Sequence, residues 1–100
     1  MVTLSVTRSR IAAVLRAAGD LVGCCGWDPE RDRSLVALID QAIGMVPGKT
    51  TPDAEDTSTA AWEALTAHLA ADPREWELKA GRTAAEVQEA LHASAVEVAR

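Results

Sequence analysis

The chain has 100 residues, a formal net charge of −5 and two cysteines. This length predicts one domain, residues 1–100, that buries about two-thirds of the surface of its unfolded chain. Fifteen acidic against ten basic residues exclude non-specific nucleic-acid binding, which needs clustered Lys and Arg, and no apolar run reaches the ~18 residues that span a membrane.

Alanine dominates the composition. The chain contains twenty alanines and no Phe or Tyr, and alanine is the residue with the highest helix propensity. We therefore predict an all-α fold, a compact bundle or orthogonal array of four main helices plus a short helical turn. Its core is expected to combine Leu, Val and Ile with the three tryptophans, Trp27, Trp62 and Trp76.

Apolar residues recur at helical spacing in the first quarter of the chain. The first helix is predicted to begin near Thr7 or Ser9 and to end at Gly23 and Gly26. Residues 1–6 alternate weakly between apolar and polar. They form either a flexible or extended arm or a frayed extension of the helix.

Two different signals compete for the start of the second helix. Asp28 before Pro29 is a good N-cap followed by a proline at the first helical position, and Ser34 offers a later cap. Residues 46–51 combine Pro, Gly and Thr and are predicted to form a loop. Both starts remain open on the sequence.

The third helix is predicted from Pro52 or Thr57 to Ala70, and Ala61, Trp62, Leu65 and Leu69 form its buried face. Asp72 before Pro73 predicts a short helical turn over residues 73–78.

The last helix has the clearest start. Thr83 caps it, and Glu86 three residues later completes a capping box, so we predict a helix over residues 84–99. Gly81 suits the sharp turn before the cap because glycine takes positive φ at little cost. Gly26, Gly81, Thr83 and Glu86 are therefore assigned structural roles.

No group of residues predicts catalysis or metal binding. Gly44–Thr50 is one residue short of a phosphate-binding loop and follows a helix rather than a strand. The isolated His68 and His92 and the adjacent Cys24 and Cys25 do not match the spacing of metal ligands. We therefore assign no catalytic residue, no metal and no cofactor, and we expect both cysteines to be reduced thiols in the cytoplasm.

Three residues near helix ends are candidates for binding. Trp27 and Trp76 lie beside acidic residues, where an indole either locks a turn or anchors an interface. Arg82 precedes the positive end of a helix dipole, an unfavourable place for a cation. We expect it to pair with an acid such as Asp28 or Glu77, tying the last loop to the Trp27 turn, or to face a ligand.

Two short motifs carry a resemblance to a known family. Gly26-Trp27 matches a Gly-Trp turn, and a second block matches a Trp-Asn-Asp-x-Pro-Gly-Arg-Thr-x-x-[Asp/Glu]-Val motif that opens the last helix. The matching residues of that block are Trp76, Gly81, Arg82, Thr83, Glu86 and Val87, and the departures are Glu77, Leu78 and Ala80. Over residues 7–98 the chain thus resembles a domain family of unknown function in small proteins of actinobacteria and their phages. The resemblance implies an intracellular protein but supplies no activity. It also implies that any polar role of the Asn-Asp pair is lost or changed.

Two classes of function follow. We expect a small non-enzymatic protein-interaction module of the bacterial cytoplasm, a phage or host accessory protein that binds another protein or self-associates as a homodimer. The alternative is a small ligand-binding domain or enzyme with a pocket near Trp27, Trp76 and Arg82.

Overall fold

Five helices make up the computed structural model, which describes the backbone of residues 2–45 and 51–100 and the side chains of residues 8–45 and 56–100. The helices are α1 (Val2–Cys25), α2 (Leu35–Met45), α3 (Thr51–Leu69), α4 (Pro73–Glu77) and α5 (Ala84–Ala99). Within these ranges there is no strand, and one isolated β-bridge joins Asp28 to Arg33. The prediction of an all-α fold with four main helices and a short helical turn is confirmed.

Among the described helices, α1 and α5 form the most extensive contact. Gly19 and Gly23 lie one turn apart on α1, and added Cβ atoms there would meet His92 and Gln88, one turn apart on α5. The opposite order of these pairs makes the two helices antiparallel. Gly23 therefore lies inside α1 at a close helix approach, and the prediction that it ends the helix is wrong.

The core is aliphatic rather than aromatic. The three tryptophans are partly buried and pack at its edge, as does Leu69, so the prediction that the indoles build the core is wrong. The reason is that the aliphatic side chains of α1, α2, α3 and α5 fill the interior among themselves. The large, fully buried side chains include Val14, Leu15, Leu35, Leu38, Ile39, Leu65, Val87 and Leu91.

The starts of α1 and α2 settle the alternatives raised above. α1 begins at Val2, so residues 2–6 extend the first helix, and its start is earlier than Thr7. α2 begins at Leu35, and the Ser34 hydroxyl accepts a hydrogen bond from Ala37 N at 3.3 Å, as expected of an N-cap. Asp28 instead accepts from Glu30 N at 3.1 Å within a turn, so no helix begins at Pro29.

The caps of the last two helices agree with the sequence. Asp72 accepts a hydrogen bond from Arg74 N at 3.1 Å, and α4 has the predicted proline in its first turn. Thr83 and Glu86 form both halves of the capping box, and Gly81 takes a φ of +86° before it. Residues 46–50, with most of the segment that resembles a phosphate-binding loop, lie outside the described residues.

The end of α3 carries a residue in an unfavourable conformation. Ala70 follows the helix with a φ of +55°, in the left-handed region where a Cβ is disfavoured and where glycine is the usual residue after a helix.

We predict that Ala70→Gly stabilises the protein by about 0.5–1 kcal/mol, because relief of the Cβ exceeds the extra entropy of glycine in the unfolded chain. Urea unfolding followed by circular dichroism measures the change. The control is Ala67→Gly, at an exposed position inside α3, which should destabilise by about 1 kcal/mol. Equal losses of the free energy of unfolding in both variants would contradict the left-handed backbone conformation of Ala70.

Candidate functional site

A buried carboxylate joins three segments at one end of the molecule. Glu77, the last residue of α4, is 1 % exposed. Its Oε1 accepts hydrogen bonds from the Trp27 indole Nε1 and from Leu35 N, both at 3.0 Å. Its Oε2 accepts from Arg74 Nη1 at 3.1 Å. Three donors thus surround a charge that would be costly to bury alone.

Local geometry brings each donor to the carboxylate of Glu77, and we call this group of four residues, Trp27, Leu35, Arg74 and Glu77, the Glu77 joint. Gly26 ends α1 with a φ of +90°, which turns the chain so that Trp27 faces α4. Leu35 is the first residue of α2, where a backbone N–H has no partner within its own helix. Arg74 lies one helical turn before Glu77 and also donates to Pro29 O at 2.8 Å. The joint thereby connects the turn after α1, the start of α2 and α4.

Arg82 lies against Trp76, six residues earlier in the chain. Its guanidinium carbon is 3.8 Å from the centroid of the indole ring, a cation–π contact, and its Nε donates to Trp76 O at 3.0 Å. Its Nη1 lies 3.5 Å from Glu86 Oε2.

These contacts correct the expected role of Arg82. Arg82 pairs with an acid, as predicted, but that acid is Glu86 rather than Asp28 or Glu77, which pair with Arg31 and Arg74. Arg82 ties the loop before α5 to α4 rather than to the Trp27 turn. The indole and Glu86 together offset the unfavourable field of the α5 N-terminus.

The capping box sets the charge state of Glu86. Its Oε1 accepts from the backbone N–H of Thr83 at 2.9 Å and from the Thr83 hydroxyl at 3.2 Å. The backbone hydrogen bond, aided by the hydroxyl and by Arg82, holds the pKa of Glu86 below its ordinary value. The ionised carboxylate is therefore favoured at the start of α5.

Cys24 and Cys25 are bonded to each other as a disulfide at the exposed end of α1. The prediction of two reduced thiols is therefore wrong. Both side chains are exposed in the last turn of α1, before Gly26.

Two concave surfaces lie on either side of α3. The first, the α2–α3 groove, has a volume of about 430 Å³ and is lined by Val36, Ile39, Ser58, Thr59, Trp62 and Glu63. The second, the Trp76 cleft, lies between α3, α4 and α5 and has a volume of about 340 Å³. Its lining consists of His68, Leu69, Trp76, Ala85, Glu86, Glu89, Ala90 and Ala93.

The candidate binding residues of the sequence gather at the α4 end of the molecule. Trp27 bonds to Glu77, and Trp76 precedes Glu77 and carries Arg82 on its ring. Of these three described candidates, Trp76 alone lines the cleft. All three have partners within the chain.

Sequence reasoning named Glu77 only as a partner for Arg82 and missed its buried position, and it missed Val36. The hydrogen-bond donors Trp27 and Leu35 lie 50 and 42 residues from Glu77 along the chain, so no local pattern marked Glu77 as buried. Val36 is 47 % exposed, and an apolar residue beside the buried positions Leu35 and Leu38 gave no distinguishing signal.

Comparison of the chain with known proteins identifies no relative. No family model, curated protein or solved structure matches this chain. The resemblance to the actinobacterial and phage family stays a prediction. The described residues contain no group of three or more His, Cys, Asp or Glu placed to hold a metal ion. None of the described helices has the length and apolarity needed to cross a membrane.

We predict that Thr83→Ala raises the pKa of Glu86 toward its ordinary value, because the hydroxyl that orders the capping box is lost. Since the folded pKa is depressed, the box stabilises the protein above the unfolded pKa of Glu86, and this contribution is lost as the pH falls through the folded pKa. An NMR titration of the Glu86 Cδ resonance measures the shift.

Thr83→Ser, which keeps the hydroxyl, is the matched control and should titrate as the unmodified protein does. The same Glu86 midpoint in the Thr83→Ala variant would show that the hydroxyl does not help to set the charge state.

Proposed function

We propose that this chain is a non-enzymatic protein-interaction module that binds a positively charged amphipathic helix of a partner protein in the α2–α3 groove. The observation that carries the proposal is an open apolar surface with an acidic border. Val36 is 47 % exposed beside the partly buried Trp62, and Ile39 lies at the base. Tryptophan is among the residues that contribute most to binding at protein interfaces.

The shape of the groove suits a helix. Two helices, α2 and α3, form its walls, and apolar side chains lie between them. An amphipathic helix binds such a surface by placing residues spaced three and four apart against it.

The charge of the groove favours a basic partner. Glu63 lines the groove. Asp40, one turn after Val36 on α2, lies at its border, where Asp40 Oδ1 accepts a hydrogen bond from the lining residue Ser58 at 3.5 Å from Oγ. Neither carboxylate forms an ion pair with another described side chain. The net charge of −5 adds long-range attraction for a cation.

A second copy of the chain is the less favourable occupant. A two-fold symmetric dimer through this groove would bring Asp40 and Glu63 of each copy to the same interface. Like charges at an interface oppose association. We therefore place the partner among basic proteins of the bacterial cytoplasm, in keeping with the phage or host accessory role that the resemblance implies.

We predict that a synthetic amphipathic Leu–Lys helical peptide binds the protein and that Val36→Gln weakens this binding about tenfold. The reason is the loss of one valine contact, worth about 1.5 kcal/mol, at unchanged charge. Isothermal titration calorimetry measures the affinity.

Val96→Gln is the matched control, because Val96 is 53 % exposed on α5 and does not line the groove. It should leave the affinity unchanged, and a Leu–Glu peptide of the same pattern should not bind. The proposal fails if the Leu–Lys peptide does not bind or if both variants bind it equally. If the protein forms a stable dimer and Val36→Gln dissociates it, the occupant of the groove is a second copy of the chain rather than a partner helix.

A further inference from the structure

We infer that the Trp76 cleft is a second binding site and that it accepts a small organic cation, an ammonium or guanidinium group on an apolar stem. This inference is independent of the proposed partner helix, because the Trp76 cleft and the α2–α3 groove share no lining residue.

The apolar part of the cleft suits the stem of such a ligand. Leu69 from α3, the indole of Trp76 and the small side chains of Ala90 and Ala93 supply the apolar lining. Its volume of about 340 Å³ falls within the range of small-molecule sites, which begins near ~300 Å³. The cleft therefore takes a ligand of a few carbon atoms beyond its charged group.

The polar part of the cleft is acidic. Glu86 and Glu89 line it, and the lining contains no Lys or Arg. Glu89 forms no ion pair with another described side chain, whereas Glu86 is held by Thr83 and Arg82. The third polar residue, His68, has its Nδ1 3.0 Å from Glu97 Oε1. Glu89 is thus the carboxylate available to a ligand.

The chain already holds one cation at the border of the cleft. The Arg82 guanidinium lies over the Trp76 indole at 3.8 Å and 3.5 Å from Glu86 Oε2. An indole and a carboxylate together therefore hold a guanidinium group of the chain itself at this place. Glu89, on the same helix as Glu86, extends the negative surface along the cleft for a further cation.

The test is a titration of the ¹⁵N-labelled protein with phenethylammonium, followed by amide chemical shifts. We expect saturable shifts at Glu89, Ala90 and Ala93. The anionic isostere 3-phenylpropionate should cause none, because its carboxylate would be repelled by that of Glu89. A peptide with both ends blocked and one lysine presents the same ammonium group as a lysine side chain of a partner protein would. Binding of this peptide without binding of phenethylammonium would rule out a free amine as the ligand.

Glu89→Gln should raise the dissociation constant of phenethylammonium about tenfold, because the charge is lost while the shape is kept. Glu75→Gln removes an exposed acid of α4 outside the cleft and should leave the constant unchanged. The inference is overturned if phenethylammonium gives no saturable shifts, if 3-phenylpropionate binds equally well or if Glu89→Gln has no effect. These outcomes leave the result with the Leu–Lys peptide unaffected, since Val36 and Glu89 lie on different surfaces.

Discussion

The buried carboxylate of Glu77 is the interaction on which the arrangement of α4 depends. An isolated buried charge costs several kcal/mol, and good geometry with further hydrogen bonds is needed to offset that cost. Trp27, Leu35 and Arg74 supply the donors, from the turn after α1, the start of α2 and α4 itself. A shift of any one segment would leave a donor or the carboxylate unsatisfied, so the three are fixed together.

Both candidate surfaces follow from this joint. Leu35 is buried and bonded to Glu77, and the next residue, Val36, lies about 100° further around α2, where it lines the α2–α3 groove. Because α4 is held at Glu77, the preceding Trp76 lines the cleft beside α5 and receives Arg82 on its ring. A polar interaction inside the molecule thus lies next in sequence to Val36 in the groove and to Trp76 in the cleft.

Local signals made the helix ends near Thr83 and Asp72 predictable, because each cap involves residues within three positions of one another. Glu77 was not predictable in this way, since its donors Trp27 and Leu35 lie 50 and 42 residues away along the chain. The start of α2 was ambiguous for a different reason, because Asp28 and Ser34 are both good caps. The candidate binding residues Trp27, Trp76 and Arg82 lie together near α4, whereas the open surfaces depend on which helix faces remain uncovered.

The measurement that tests the role of Glu77 most directly is the free energy of unfolding of Glu77→Ala, compared with Glu75→Ala in the same helix. Glu77→Ala leaves the Trp27 indole N–H and the Leu35 backbone N–H without an acceptor, and each unsatisfied buried donor costs about 1–3 kcal/mol, so we expect a loss of about 2–6 kcal/mol. Glu75 is exposed, so its replacement should change the free energy of unfolding by less than about 0.5 kcal/mol. Similar small losses in both variants would contradict the claim that the Glu77 carboxylate holds this end of the fold together.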